Sequence, residues 1–311
     1  MENTILQLFP ASRRAYWKQV AACQEDIREI RLRACRPIIV YRRNEELFLD
    51  GEGNFTDDVD RAQVTAEGEL EGLLEHICNY SLYAYEEELR QGFLTVCGGH
   101  RVGVAGQAVL NEEGRLRTIK NVSFLNIRVA HEIKGAADEL LPRVYEGGRL
   151  KSTLIISPPG CGKTTLLRDL VRQVSDGNRY GRGMTVGMVD ERSEIAGAYC
   201  GKPQNDVGMR TDVLDACPKE LGMMLLLRAM SPEVIAIDEL GSQKELDALR
   251  CASACGCRIL ATAHGDGLED VRIRFGREGG WEHLFQQYVL LGRKGGNCFM
   301  ESIRGGGAGR A

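Results

Sequence analysis

Apolar and polar positions alternate in short runs through the first 130 residues, and these runs favour short strands and amphipathic helices. Residues 27–33 alternate apolar and charged side chains, which is typical of a half-exposed strand. Apolar positions at helical spacing predict a helix over 65–80. Between residues 93 and 105, two alternating segments flank Gly98-Gly99 and predict a β-hairpin. We therefore predict a small α+β domain over residues 1–130, with no catalytic motif of its own.

From residue 151 onward, the pattern changes to apolar runs that alternate with helical segments. Four of these runs predict buried strands, which cover 154–156, 184–189, 234–237 and 258–263. Apolar strands that alternate with helices predict a mostly parallel sheet covered on both faces. We predict that this second domain covers 151–304. A linker over 131–150 precedes it, and a flexible, glycine-rich tail over 305–311 follows it.

The first of these strands is followed by a glycine-containing loop and then a helix, the order required of a phosphate-binding loop. Residues 157–165 match the motif G-x-x-x-x-G-K-[ST] except at Ser157, where the motif has glycine. Gly160 and Gly162 let backbone N–H groups turn toward phosphates, and the helix N-terminus adds partial positive charge. The predicted nucleotide-binding residues are Ser157, Pro158, Pro159, Gly160, Cys161, Gly162, Lys163, Thr164 and Thr165. The predicted fold class is therefore α/β, with a RecA-like P-loop NTPase domain that binds ATP.

Two carboxylates follow the apolar run at 234–237. Asp238 ends that run in the Walker B pattern and is predicted to bind Mg²⁺ together with Thr164. Lys163 is predicted to reach the β- and γ-phosphates, and Glu239 to orient and deprotonate the attacking water. A carboxylate at this point favours water-activating ATPases over kinases. The alternative is that Asp238 and Glu239 are only strand-end charges on the surface.

Two other predicted strands also end in polar residues, and the carboxyl ends of parallel strands meet at one edge of a sheet. His264 is predicted to sense the γ-phosphate, and the alternative is a surface histidine in a turn. Asp190 and Glu191 either join the water or metal shell or form a solvated charge run. We include Glu191 and His264 among the predicted catalytic residues.

Phosphoryl transfer leaves charge on the γ-phosphate oxygens, and a cation from a neighbouring subunit often stabilises it. The candidate arginines are Arg101, Arg128, Arg192 and Arg210. A surface-charge role is the competing interpretation for each one, and we expect one of the four to act.

Composition and charge narrow the possible classes of function. A net charge of −4 and a pI of about 5.9 argue against a dedicated nucleic-acid binder. Eleven cysteines without a CxxC pair are typical of reduced thiols in a cytosolic protein. The first residues lack a signal-peptide pattern, and no apolar run approaches the ~18 residues that span a bilayer. We expect a cytoplasmic protein without a transmembrane segment, peripheral to a membrane only through partners.

Eight segments, in order along nearly the whole chain, carry a resemblance to a known family. They are EIRLRACRP (29–37), NYSLYAYEEELRQGFLTVCGGHRVGVAG (79–106), NIRVA (126–130), SPPGCGKTTLLRDLVR (157–172), VDERSEIAG (189–197), NDVGMRTDVLDACPK (205–219), LLRAMSPEVIAIDELGS (226–242) and ATAHG (261–265). With these segments the chain resembles the stage III sporulation protein AA family. These are ATPases of endospore-forming bacteria, related to type II and type IV secretion ATPases.

The resemblance implies a hexameric motor ATPase at the cytoplasmic face of a membrane channel, in the mother cell, that supports transport into the forespore. Its implied partners are membrane proteins of a sporulation channel complex. It also implies that Asp190-Glu191 and His264 correspond to the aspartate and histidine boxes of the secretion ATPases. Arg101 and Arg128, from the N-terminal domain, are implied to reach the nucleotide.

The first hypothesis is therefore Mg²⁺-dependent ATP hydrolysis by an oligomeric, secretion-type motor. The alternative from another class is a RecA-like ATPase that handles nucleic acid, which DNA or RNA would stimulate with a steep salt dependence. A small-molecule kinase and a nucleotide-binding module without turnover are two further alternatives. Phosphate release without an acceptor would separate the ATPase from both.

Overall fold

A computed structural model of the chain describes residues 3–276, 280–294 and 297–305. The chain divides into two compact units. The first unit contains Met1–His131 and Gly197–Gln204, and the second contains Glu132–Ala196 and Asn205–Ala311. The predicted turn at Gly295-Gly296 and residues 306–311 of the predicted tail lie outside the described residues.

The first unit is built on a seven-stranded antiparallel sheet with the strand order β4-β3-β2-β1-β7-β6-β5. Its strands are β1 (Ile27–Arg33), β2 (Ile39–Arg42), β3 (Glu45–Leu49), β4 (Phe55–Thr56), β5 (Phe93–Thr95), β6 (Arg101–Leu110) and β7 (Leu116–Arg128). Its helices are α1 (Thr4–Gln7), α2 (Lys18–Ala22), α3 (Glu69–Ile77) and α4 (Glu86–Gln91).

The core of the first unit follows the apolar positions of β1 and α3. Ile30 and Leu32 alternate with half-exposed residues, and a bulge between Ile27 and Glu29 lets Ile27 face the same core. Helix α3 is shorter than the predicted helix over 65–80. Its later start follows from Thr65, which forms two backbone hydrogen bonds with the turn at residues 35–36 and so cannot be helical.

The second unit is built on a seven-stranded sheet with the order β12-β11-β13-β14-β10-β15-β16, parallel except for the last pair. A short hairpin precedes that sheet, formed by β8 (Tyr145–Glu146) and β9 (Arg149–Leu150). The sheet strands are β10 (Thr153–Ser157), β11 (Val186–Asp190), β12 (Thr211–Asp215), β13 (Val234–Ile237), β14 (Arg258–His264), β15 (Gln287–Lys294) and β16 (Asn297–Gly305). The helices are α5 (Leu141–Val144), α6 (Lys163–Asp176), α7 (Lys219–Ala229), α8 (Gln243–Ala254) and α9 (Leu268–Phe275).

Helices cover both faces of this sheet, and every residue of β10, β11 and β13 is buried. Helix α6 packs on one face through an apolar stripe that includes Leu167 and Leu170. Helix α8 packs on the other face through Leu246 and Leu249. A parallel sheet buried on both faces requires such continuous apolar strands. The predicted α/β fold class is confirmed, with a separate antiparallel domain before it.

Two parts of the predicted domain layout need correction. Residues 132–150, predicted as a linker, belong to the compact second unit, where Ala137, Leu140 and Val144 are buried in its core. Residues 197–204, predicted as part of the second domain, belong to the first unit. Hydrogen bonds to Tyr199 from Asn79 and to Gln204 from the Gly98 N–H hold this segment there.

The carboxyl ends of four adjacent strands lie along one edge of the second sheet. In the register of the parallel pairs, Ser157 of β10 lies beside His264 of β14, and Val189 of β11 lies beside Ile237 of β13. The residues that follow these strands therefore lie close to one another. Among the described residues, no helix is long and apolar enough to cross a membrane.

Candidate functional site

The loop after β10 turns sharply at two glycines before α6 begins. Gly160 has φ +73° and Gly162 has φ +78°, a left-handed conformation that glycine adopts without steric cost. Helix α6 begins at Lys163, directly after Gly162. Ser157, which departs from the motif, is buried, and its hydroxyl donates to the Pro158 carbonyl oxygen at 2.9 Å. A serine therefore fits here with its polar group satisfied inside the loop.

Lys163 lies at the centre of a small cluster of charged and polar side chains. Its side chain is 7% exposed, and its Nζ is 3.1 Å from Glu239 Oε1. The same Nζ is 3.2 Å from His264 Nε2, which is itself 2.7 Å from Glu239 Oε1. The structure thus brings together three residues that the sequence predicts on three separate elements.

A second contact at this edge of the sheet joins Thr164 of α6 to Asp238, which directly follows β13. The Thr164 hydroxyl donates to Asp238 Oδ2 at 2.6 Å. The other carboxylate oxygen accepts the Thr262 hydroxyl and, at 3.1 Å, the Glu239 N–H. Thr262 is completely buried on β14 and so fixes the orientation of the Asp238 carboxylate.

Glu239 stands in a strained turn that is held from both sides. Its φ of +56° is left-handed, an uncommon conformation for a residue with a side chain. The Glu239 N–H donates to Thr262 Oγ1 at 2.8 Å, and the Glu239 carbonyl oxygen accepts from Lys219 Nζ at 2.7 Å. Burial raises the pKa of the Glu239 carboxyl. Lys163 and His264 together lower this pKa by more than burial raises it, so the net pKa lies below its ordinary value.

The burial of Asp190 excludes one of its two interpretations, the solvated charge run. It is buried, and its carboxylate accepts the backbone N–H groups of Glu194, Ile195 and Ala196 at 2.8–3.0 Å. Burial raises the pKa of Asp190 despite these three hydrogen bonds. Its oxygens help to shape the following loop, so Asp190 is not part of a solvated charge run, and its place in the water or metal shell stays a prediction.

Glu191 and Arg192 both lie near the Asp238-Glu239 turn. Glu191 Oε2 is 3.4 Å from Lys219 Nζ, and its side chain is 40% exposed. Arg192 Nη1 is 3.1 Å from Glu239 Oε2, which makes Arg192 the predicted arginine that contacts the cluster within the second unit. Arg210 instead donates to the Ser175 carbonyl oxygen at 2.8 Å, at the C-terminal end of α6.

Arg101 and Arg128 belong to the first unit, where they are direct cross-strand partners on β6 and β7. The Arg101 guanidinium lies 4.5 Å from the centre of the Phe93 ring. Arg128 Nε is 3.4 Å from Glu29 Oε1, and the Arg128 side chain is largely exposed. The two arginines therefore place two positive charges next to each other on the antiparallel sheet.

Sequence reasoning missed three residues that shape this site. They are Lys219, Thr262 and Arg168, whose guanidinium donates to the carbonyl oxygens of Glu194 and Ile195. All three lie in segments that carry the family resemblance, but none is a residue to which a nucleotide-binding motif assigns a role. The available signals were a lysine at a predicted helix start after Pro218 and a threonine inside an otherwise apolar strand.

The residues present fit a nucleotide phosphate chain and Mg²⁺. The buried Lys163 ammonium and the N-terminus of α6, a 14-residue helix, suit an anion. The Thr164 hydroxyl and the Asp238 carboxylate supply the hard oxygen ligands that Mg²⁺ prefers. The cluster as a whole can hold a phosphate, a divalent cation and a water-activating carboxylate side by side.

The solved structures with a similar fold include an ATPase and a pilus retraction motor. The pilus retraction motor PilT with bound ADP aligns with a TM-score of 0.63 and 13% identity, covering 92% of this chain and 80% of PilT. The ATPase DotB of Legionella pneumophila aligns with a TM-score of 0.57 and 14% identity, covering 90% of this chain and 75% of DotB. At this identity the likeness shows the fold.

Sequence comparison gives a closer relationship. The family model described as sporulation stage III, protein AA, matches residues 1–306. The stage III sporulation protein AA of Bacillus subtilis (strain 168) is 40% identical over 296 residues, which are 94% of this chain and 92% of the relative. Because both matches span nearly the whole chain, this protein belongs to the sporulation stage III, protein AA, family.

Proposed function

We propose that this chain is a Mg²⁺-dependent ATPase that works as an oligomeric motor of the secretion type. One observation carries the proposal. At the carboxyl ends of the strands, a cluster of Lys163, Glu239 and His264 lies beside a hydrogen-bonded pair, Thr164 and Asp238. A cation that binds phosphate, a water-activating base and a pair of metal ligands at the mouth of a P-loop are the parts that ATP hydrolysis needs.

Each residue of the cluster has a distinct role in this proposal. The loop 157–162 and Lys163 bind the phosphates, while Thr164 and Asp238 hold the metal ion. Glu239, ionised at neutral pH, accepts a proton from water at a carboxylate oxygen, and His264 holds that carboxylate in place. When bound, Mg²⁺-ATP supplies the phosphoanhydride bond to be broken and the cation that neutralises its developing charge.

The proposal extends to assembly and place in the cell. We propose a homo-oligomer, a hexamer, that is cytoplasmic and bound to a membrane through membrane proteins of a sporulation channel complex. It would act in the mother cell and power a channel toward the forespore. Support comes from family membership and from the fold likeness to PilT, which is titled a retraction motor.

Phosphate release and nucleotide binding, measured together, test the proposed reaction. Lys163→Ala removes the cation that holds the phosphates, so ATP binding is lost. Glu239→Gln keeps the shape but not the base, so ATP binds while turnover falls by about 100-fold or more. Lys244→Ala, at an exposed position on α8, is the control and keeps both.

Full turnover by Glu239→Gln would remove the water-activating role from this residue. Stimulation of the wild-type rate by DNA or RNA, with a steep salt dependence, would instead support the alternative of a nucleic-acid-handling ATPase.

A further inference from the structure

We infer that Lys219 is a positioning residue for hydrolysis, and that its ammonium group fixes the Asp238-Glu239 turn so that the Glu239 carboxylate meets His264 and Lys163. This inference rests on the proposed ATPase function, and it assigns a role to a residue that belongs to no nucleotide-binding motif.

Lys219 is a buried cation at the start of α7. Its side chain is 10% exposed, and Nζ donates to the carbonyl oxygens of Glu239 at 2.7 Å and Asp238 at 3.2 Å. Two carboxylates, Glu191 at 3.4 Å and Glu245 at 3.3 Å, balance its charge. A single ammonium thus joins three places in the chain: the end of β11, the turn after β13 and the first turn of α8.

The turn that Lys219 contacts is strained and carries the catalytic carboxylate. The left-handed conformation is unfavourable for a residue with a side chain, so the surrounding structure must enforce it. Thr262 holds the Glu239 N–H, and Lys219 holds the Glu239 carbonyl oxygen. Without Lys219, the peptide after Glu239 can rotate toward an ordinary conformation, and that rotation would carry the carboxylate away from His264.

The other contacts of Lys219 have alternative partners, whereas the two carbonyl oxygens depend on it. Glu245 already accepts the N–H groups of Gly241 at 2.7 Å and Ser242 at 3.1 Å, as part of a capping box that starts α8. Glu191 is exposed enough for water to solvate it. Loss of the ammonium should therefore disturb the Asp238-Glu239 turn more than the start of α8 or the end of β11.

The test compares Lys219→Met, Lys219→Arg and the wild-type protein by steady-state kinetics, with ATP binding and thermal unfolding measured in parallel. In Lys219→Met we expect kcat to fall by about 10- to 100-fold, the range for residues that orient a catalytic group. KM and ATP affinity should stay within about twofold, because Lys163, Thr164 and Asp238 remain. Lys219→Arg should recover part of kcat, since a guanidinium can donate to the same carbonyl oxygens.

Lys244→Met is the matched control, because this lysine is exposed and one residue before Glu245. It should leave kcat unchanged. A second readout uses Glu239→Gln as background, where Lys219→Met should reduce the rate no further, since the group it positions has gone. If Lys219→Met does not fold, Lys219→Gln, whose uncharged side chain is too short to span the same contacts, should show a loss of kcat at unchanged KM.

Equal kcat in Lys219→Met and wild type would overturn the inference, and so would a further loss of rate on the Glu239→Gln background. A change in KM at constant kcat would also overturn it, because that would assign Lys219 to nucleotide binding. If the wild-type protein binds ATP but releases no phosphate, the proposed function itself fails, and that result is distinct from any result with Lys219.

Discussion

Glu239 is the residue on which the electrostatics of the site converge, because Lys163, His264 and Arg192 all contact its carboxylate. Burial raises its pKa, and Lys163 and His264 lower it by more. The carboxylate therefore remains ionised at neutral pH, and the base is lost only as pH falls through this lowered pKa. A site arranged in this way keeps its base ready over a wide pH range.

Replacing His264 should move the acid limb of the pH–rate profile. His264→Gln removes one of the interactions that lower the pKa of Glu239, so that pKa rises. The residual ATPase activity should then decline at a higher pH than in the wild type. Rates measured from pH 8 down to well below the ordinary glutamate pKa of about 4.3 check this, with His283→Gln, at an exposed position in the second unit, as control. An acid limb at the same pH in all three proteins would contradict the assignment.

His100 makes the first unit sensitive to acid. It is completely buried, with its ring nitrogens bonded to the Ala130 N–H at 3.0 Å and the Thr4 hydroxyl at 2.9 Å. Burial, with a smaller effect of His131, lowers the pKa of His100 from 6.5 to about 4. The unfolded chain therefore binds a proton between pH 6.5 and 4 while the folded unit does not, so folding stability falls as pH drops through this window.

At ~1.4 kcal/mol for each pKa unit, the expected loss between pH 6.5 and pH 4.5 is about 3 kcal/mol. Urea unfolding of the first unit at pH 7.5 and pH 4.5, followed by Trp17 fluorescence, measures it. His100→Asn, which keeps an acceptor but cannot take up a proton here, should lower stability at pH 7.5 and remove most of the difference between the two pH values. An unchanged pH dependence in His100→Asn would place the acid sensitivity elsewhere.

At the scale of elements, the phosphate-binding loop depends on the left-handed conformation of Gly162. A Cβ added there would meet no atom within 4 Å, so Gly162→Ala is strained only by its φ of +78°. That strain is about 1–2 kcal/mol for alanine. A loop that relaxes to avoid it no longer presents its N–H groups, so ATP binding should weaken by about tenfold.

Gly256 provides a matched control for this loop. It follows α8 with φ +89°, and a Cβ there also meets no atom within 4 Å. Gly256→Ala should therefore cost similar stability without changing ATP affinity. Binding of a fluorescent ATP analogue, with thermal unfolding of both variants, makes the comparison. Equal affinity in the two variants would show that the loop does not need the left-handed residue for binding.

The pattern of apolar residues predicted the fully buried strands and the amphipathic helix α6. The buried strands β10, β11 and β13 have continuous apolar runs, and α6 has a clear apolar stripe, so sequence alone places them. Strand β12 is not among the strands that the sequence predicts. It is an edge strand with half-exposed residues, and its two aspartates interrupt any apolar run.

The sequence predicts the site residues that belong to a short local motif. It does not predict those that reach the site only because of the fold. Lys163, Thr164 and Asp238 follow from short patterns in the sequence. Lys219 and Thr262 act on the Asp238-Glu239 turn from 19 to 24 positions away, across β13 and its neighbours. Contacts of that kind depend on strand order and register, which no local pattern reveals. For the same reason, the sequence did not show that residues 197–204 belong to the first unit.

At the scale of the whole molecule, the proposed oligomer has a direct biochemical consequence. Arg101 and Arg128 are cross-strand partners in the first unit, and we propose that one of them stabilises the phosphate of a neighbouring subunit. ATPase rate per subunit should then rise with protein concentration until the oligomer is complete. Sedimentation across the same concentrations should show assembly over the range in which the rate increases.

Mixing two inactive proteins tests whether the cation comes from a neighbour. The double variant Arg101→Ala/Arg128→Ala keeps an intact nucleotide site, while Lys163→Ala keeps both arginines but cannot bind ATP. If an arginine acts between subunits, a mixture of the two regains part of the wild-type rate, because some sites receive the missing cation from an adjacent Lys163→Ala subunit. A triple variant with all three substitutions, mixed in the same way, provides no arginine and should restore nothing. If neither mixture recovers activity although sedimentation verifies mixed oligomers, the cation acts within one chain. Arg192, which is 3.1 Å from Glu239, would then be the residue to replace.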